Sequence, residues 1–82
     1  MKQLFPCPCC GHRTLTSESP GSYGLCPVCY WEDDGVQFRD PNYRGGANLE
    51  SLIEARDNFQ RFGASSRGDR PFVRKPLPDE VP

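Results

Sequence analysis

Five cysteines carry most of the chemistry available to this chain of 82 residues. The stretch "FPCPCCGH" supplies Cys7, Cys9 and Cys10, and "CPVC" supplies Cys26 and Cys29. Thiolates act as nucleophiles, as redox partners or as metal ligands. Spacing separates these uses. Cys7/Cys10 and Cys26/Cys29 form two Cys-x-x-Cys pairs with fifteen residues between them, the C-x2-C-x15-C-x2-C pattern of a zinc site. Two cysteines three apart on a tight turn aim both sulfurs at one point. Turn amides can donate to those sulfurs, and two such knuckles brought together complete a tetrahedron of thiolates. Proline follows the first cysteine of each pair, at Pro8 and Pro27, and pre-sets the turn. Gly11 follows the first pair, where positive φ is expected. The expected ligands of one structural Zn2+ are therefore Cys7, Cys10, Cys26 and Cys29. A catalytic zinc keeps a position open for water, whereas four thiolates leave none. Neither pair opens a helix in a βαβ pattern, which disfavours thioredoxin-like redox chemistry. A single histidine is thin material for a general base. The expectation is a protein that is not an enzyme.

Cys9 is the residue left over. It is read as a small packed thiol at the knuckle tip. Two sharper readings stand beside that one: a reactive thiol activated by the metal, and a spare ligand that exchanges with a neighbour. His12, two residues past the knuckle, is a fifth potential ligand or a neutral ring beside a shell already filled.

The elements around the cysteines follow from pattern. "RTLTSESPGSYGLC" reads as two short strands, Thr14–Thr16 and Tyr23–Cys26, joined by the turn residues "ESPGS". "SLIE" is a capping box that opens a helix at Ser51, with Glu54 reaching back. Leu52, Ala55, Phe59 and Phe62 then form one helical stripe, which Ile53 widens, and Gly63 ends the helix. Residues 30–46 are dense in turn formers. Pro71, Pro76, Pro78 and Pro82 favour an extended tail, for which Phe72, Val73 and Leu77 are candidate anchors. The expected architecture is small α+β: zinc-ribbon-like knuckles, a short β-hairpin, one packed helix and an extended C-terminal tail. Residues 1–66 form the domain and residues 67–82 a Pro/Arg-rich tail.

Composition bounds the rest. With eight glycines, nine prolines and 35% hydrophobic residues, the chain buries too little apolar surface to stand on a core alone and needs a staple. The formal net charge of -1 gives no reason to expect nucleic acid or acidic membranes, although "RGDRPFVRK" is locally basic. No apolar run approaches the ~18 residues of a membrane span, and "MKQLFPCPCC" lacks a signal-peptide core. A cytoplasmic protein with reduced thiols is expected. "YWEDDG" places Tyr30 and Trp31 beside Glu32, Asp33 and Asp34. The aromatics are read first as packing against knuckle and helix. The acids are read first as a solvated turn, one of them pairing with Arg44 or Arg56. The functional reading is an acidic, aromatic patch that recognises another protein. Two other readings stand beside the interaction module: a nucleic-acid-binding zinc ribbon, and thiol chemistry through Cys9.

Taken together, "CPCCGHRTL", "PGSYGLCPVCYWEDDGVQ", "DPNYRGGAN" and "SLIEARDNFQRFGAS" resemble the bacterial cysteine-rich CPCC family, in register from Phe5 to Ser66. The resemblance implies a small zinc-ribbon-like protein with no assigned activity. It also implies a role of adaptor or toxin-immunity type. It carries over no catalytic residues.

Overall fold

A computed structural model of the chain describes residues 3–82; Met1 and Lys2, which enter the reading of the N-terminus, lie outside them. The core forms around sulfur. Cys7, Cys9, Cys26 and Cys29 are buried together with Leu15, Val28, Trp31, Leu52 and Ala55, and Phe5, Cys10 and Phe59 close the edges.

Two short strands, β1 (Phe5–Pro6) and β2 (Arg13–Leu15), pair antiparallel, Phe5 opposite Leu15, with an irregularity at Pro6. The expected hairpin therefore has a different partner. Arg13–Leu15 returns onto the strand before the first knuckle, not onto Tyr23–Cys26. The reason is local: the knuckle turn already brings its own flanks together. The second knuckle repeats this on a smaller scale, with an isolated bridge between Leu25 and Glu32.

Helix α1 (Gly35–Arg39) was not legible as a helix. Its N-cap is Asp34, whose carboxylate accepts from Val36 N at 2.8 Å and Gln37 N at 3.3 Å. Helix α2 (Leu52–Phe62) has the predicted bounds. Ser51 and Glu54 form the capping box, and Gly63 closes the end at φ 82. Leu52 and Ala55 are buried and Phe59 packs on the core, but Ile53 is half exposed, so it lies off the buried stripe. Arg56 Nε donates to Pro8 O at 2.9 Å, tying α2 to the first knuckle.

The tail is less uniformly extended than its prolines imply. Two 3-10 helices, Arg67–Phe72 and Pro78–Glu80, flank an extended stretch. Its anchors are also polar where apolar ones were expected, since Phe72 and Leu77 are exposed. Arg74 N donates to Pro27 O at 3.1 Å. The Arg74 guanidinium makes two 2.8 Å bonds to the buried Glu80 carboxylate, which also accepts from Leu77 N at 2.8 Å. Among the described residues no helix is long and apolar enough to cross a membrane.

Candidate metal centre and its surroundings

The two knuckles share one backbone solution. In the first, Gly11 N donates to Cys7 O at 2.8 Å and Cys7 N to His12 O at 2.9 Å. In the second, Tyr30 N donates to Cys26 O at 2.7 Å and Cys26 N to Trp31 O at 3.0 Å. Cys7–His12 and Cys26–Trp31 are thus equivalent six-residue turns. The residue after each second cysteine is left-handed: Gly11 at φ 79 and Tyr30 at φ 71.

This equivalence accounts for the fifth cysteine. Cys9 stands where the second knuckle has Val28, and both are buried, at 8% and 2% exposure. Cys9 fills a small apolar core position, so it offers little surface to a reactant.

Facing each other, the knuckles bring the sulfurs of Cys7, Cys10, Cys26 and Cys29 within 4.8 Å of one another. Cys7 Sγ lies 3.6 Å from Cys29 Sγ, and Cys10 Sγ 3.7 Å from Cys26 Sγ. These are no disulfides, whose S–S bond is about 2.05 Å. A tetrahedron with metal–sulfur bonds of ~2.3 Å has edges of about 3.8 Å, so the four sulfurs fit a thiolate-bound ion. The cluster could hold a metal ion. His12 stands outside it, its ring edge-on to Phe59 at 6.0 Å.

The four thiols perturb one another strongly. The neighbouring thiols, Cys10 first and then Cys29 and Cys7, hold Cys26 well below the usual thiol range, and the Thr14 hydroxyl adds to this. Cys7 and Cys10 are pushed far above that range, by Cys10 and by Cys26 respectively as the leading partner. Four thiolates this close need a positive charge among them.

Thr14 is the supporting residue that sequence reading took only for strand composition. Its buried Oγ1 donates to Cys26 Sγ at 2.9 Å. The contact comes from a side chain on β2. A buried Thr pointing inward just after a knuckle is the signal in hindsight.

The "YWEDDG" stretch is largely internal. Trp31 is 1% exposed and packs in the sulfur core. Asp33 is fully buried, accepting from Ser22 N at 3.0 Å and Ser22 Oγ at 2.6 Å. Asp34 caps α1, and its second oxygen accepts from Ala47 N at 2.8 Å. These three amide bonds, that from Ala47 first, hold its carboxyl below the usual carboxylate range. The two aspartates are structural acceptors, not a solvated turn. Neither pairs with the arginines proposed for them: Arg44 bonds Glu54, and Arg56 bonds Pro8. Only Tyr30 and Glu32 of the five residues keep a surface presence.

Glu32 is placed by a second knot. Asn48 Oδ1 accepts from Glu32 N at 2.9 Å, and Asn48 Nδ2 donates to Glu32 O at 2.7 Å. Gln37, fully buried on α1, accepts from Asn48 N at 3.1 Å and donates to the carbonyls of Tyr43, Asn48 and Glu50. A loop rich in turn residues is therefore fixed by two amide side chains. It closes one wall of a cleft of about 270 Å3, lined among others by Leu25, Tyr30, Glu32, Leu49, Glu50 and Asp69. The tail borders it, with the Phe72 ring 5.6 Å from that of Tyr30.

Two matched cysteine knuckles, one four-sulfur cluster and a covering helix define a small α+β protein built around a candidate metal centre. The family model for cysteine-rich CPCC proteins matches residues 5–80, and the chain belongs to that family. The match runs past Ser66 and takes in most of the tail. No curated protein matches the chain.

Proposed function

We propose that this chain is a zinc-stapled, non-enzymatic protein-interaction module that works in the cytoplasm. Zinc is favoured by the all-sulfur donor set and its tetrahedral spacing. Reduced thiols persist in the cytosol, where such a set stays available to metal. A shell of four sulfurs leaves no ligand position for water, which assigns the ion to folding.

The observation that carries the interaction reading is Tyr30. It holds the left-handed position that glycine fills in the first knuckle. That conformation costs a non-glycine residue about 1–2 kcal/mol. The side chain must return something, and what it does is stand at the cleft against the Phe72 ring. Around it Leu49 is 73% exposed, Phe72 64% and Leu25 47%. Exposed aromatic and aliphatic groups about a concave site, with polar neighbours, have the composition of a protein-binding patch. Of the stretch Tyr30–Asp34, Tyr30 and Glu32 contribute to this surface, and Trp31, Asp33 and Asp34 support it from within. An adaptor or immunity role is the same reading with a partner specified.

The test is a native mass spectrum of protein gently isolated from its host, repeated with Tyr30→Gly and Leu49→Asp. The expected result is one zinc per chain throughout, with a second polypeptide bound to wild type and lost from both variants. A metal-free chain with a disulfide would overturn the zinc assignment. A partner retained by both variants would overturn the cleft.

A further inference from the structure

Three arginines are neutralised within the fold: Arg44 by Glu54, Arg61 by Asp57 and Arg74 by Glu80. Arg67 and Arg70 are different. Among the described residues neither has a carboxylate within ion-pair distance. Both stand over a single ring, that of Phe62, with guanidinium carbons 5.2 and 5.9 Å from its centroid. Both are exposed, and with Gly68 and Pro71 they line one open groove of about 610 Å3. A guanidinium resting on a ring is held by cation–π attraction and keeps N–H groups free to bond.

A counter-ion lies close at hand in the sequence but is turned elsewhere. Asp69 sits between the two arginines on the same 3-10 helix, yet it lines the cleft with Glu32 and Glu50. Burial, then the charge of Glu50, push its carboxyl above the usual range there. The segment Arg67–Phe72 therefore separates a basic groove from an acidic cleft. Two like charges gathered on one ring without an internal anion are open to an external one.

We infer that Arg67 and Arg70 form a clamp for a carboxylate on an acidic segment of a polypeptide partner. This deepens the interaction reading and rests on it, since the clamp adjoins the cleft. The fork of N–H donors on each guanidinium matches the two oxygens of a carboxylate. A phosphate would satisfy the same donors, but a nucleic acid carries a charge at every nucleotide. Such a strand leaving the clamp toward the cleft would meet Glu32, Glu50 and Asp69. A polypeptide can set one carboxylate in the clamp and an apolar or basic residue in the cleft.

The experiment follows the arginine Nε–H signals of the full zinc-loaded chain by NMR. Three probes are titrated: an acetylated, amidated Gly-Glu-Glu-Gly peptide, a decathymidylate strand and inorganic phosphate. The peptide is expected to shift the signals of Arg67 and Arg70 and leave that of Arg44 in place. Affinity should fall at least fivefold in Arg67→Gln and in Arg70→Gln, and stay unchanged in Arg61→Gln. All three residues are exposed, so an unchanged amide spectrum checks that the variants fold. Binding that survives both glutamine variants, or a peptide that moves neither arginine, overturns the clamp. Decathymidylate bound more tightly than the peptide through the same arginines overturns the polypeptide assignment, and phosphate bound as tightly as the peptide reduces the site to one for free anions. None of these outcomes touches the loss of partner expected for Tyr30→Gly and Leu49→Asp, so clamp and cleft fail separately.

Discussion

Replacing Cys9 by valine writes the second knuckle's sequence into the first. Cys9 and Val28 occupy equivalent turn positions and are both buried. The change swaps a small apolar thiol for a slightly larger apolar group, at a cost of less than about 1.5 kcal/mol. Cys9→Ser buries a hydroxyl at the same place and costs more, about 1–3 kcal/mol if the group finds no partner. Neither should alter the metal, because the Cys9 sulfur is not one of the four that converge. Cys26→Ser is a different perturbation. It removes one corner of the sulfur tetrahedron and the acceptor of the Thr14 hydroxyl. Binding free energy at structural zinc sites is about 10–16 kcal/mol in small peptides. A domain of this size has a total stability of about 5–15 kcal/mol at best. Losing a ligand therefore removes most of the margin, and Cys26→Ser should be unfolded at room temperature. Zinc per chain from native mass spectrometry and the urea midpoint from Trp31 fluorescence give the two readouts; Trp31 is 1% exposed and reports on the core directly. A Cys9→Val protein without metal, or a Cys26→Ser protein with an unshifted midpoint, would refute the reasoning.

Three further outcomes are expected. Thr14→Val keeps the β2 shape but removes the donor to Cys26 Sγ, and should weaken zinc binding by about tenfold in competition with a chelating dye, since outer partners of ligands carry that much. Gly46→Ala should lower stability by about 1–3 kcal/mol in urea unfolding, because a Cβ there would lie 2.6 Å from Asp34 Oδ2 and 2.8 Å from Gln37 Cδ; an unchanged midpoint would show that the knot yields. The tail should loosen on acidification: Arg74 holds the Glu80 carboxyl below its ordinary value of 4.5, so the contact is fully present above that pH and is lost as pH falls through the lower folded value. Glu80→Gln should abolish that pH dependence, read from the Leu77 amide signal, whose donor bonds Glu80 at 2.8 Å.

Legibility tracked how local the determinants are. The cysteine spacing and the capping box Ser51–Glu54 are set by residues three or four apart, and both appear in the structure at the predicted positions. The hairpin partner was missed because Thr14–Thr16 and Tyr23–Cys26 are equally good strands by composition; what decides is that each knuckle turn closes its own flanks. Asp33 and Asp34 looked like surface acids because charge is normally solvated. They are buried because Ser22, Val36, Gln37 and Ala47 supply donors, and two of these, Ser22 and Ala47, are distant in sequence. Gln37 and Asn48 carry no local signature at all; their meaning lies in carbonyls that converge only after folding.

The two knuckles, compared with each other, separate what the metal centre needs from what is added to it. Both knuckles have cysteine at the first and fourth turn positions, proline at the second and a left-handed residue at the fifth. The first knuckle fills that fifth position with Gly11, the second with Tyr30. Trp31, at the position of His12, fills the core, whereas the His12 ring lies edge-on to Phe59 at the core's edge. The additions therefore lie on the second knuckle, and the loop around Asn48 and the tail are arranged on that side, while α2 is tied to the first knuckle. The Asn48–Gln37 knot fixes the loop beside Glu32. The tail is pinned there by Arg74 N to Pro27 O and brings Phe72 onto Tyr30. If the staple were the whole purpose, glycine at position 30 would serve it with less strain. A Tyr30→Gly chain that binds zinc and unfolds within about 1 kcal/mol of wild type, while losing its partner, would place the selective weight on the cleft.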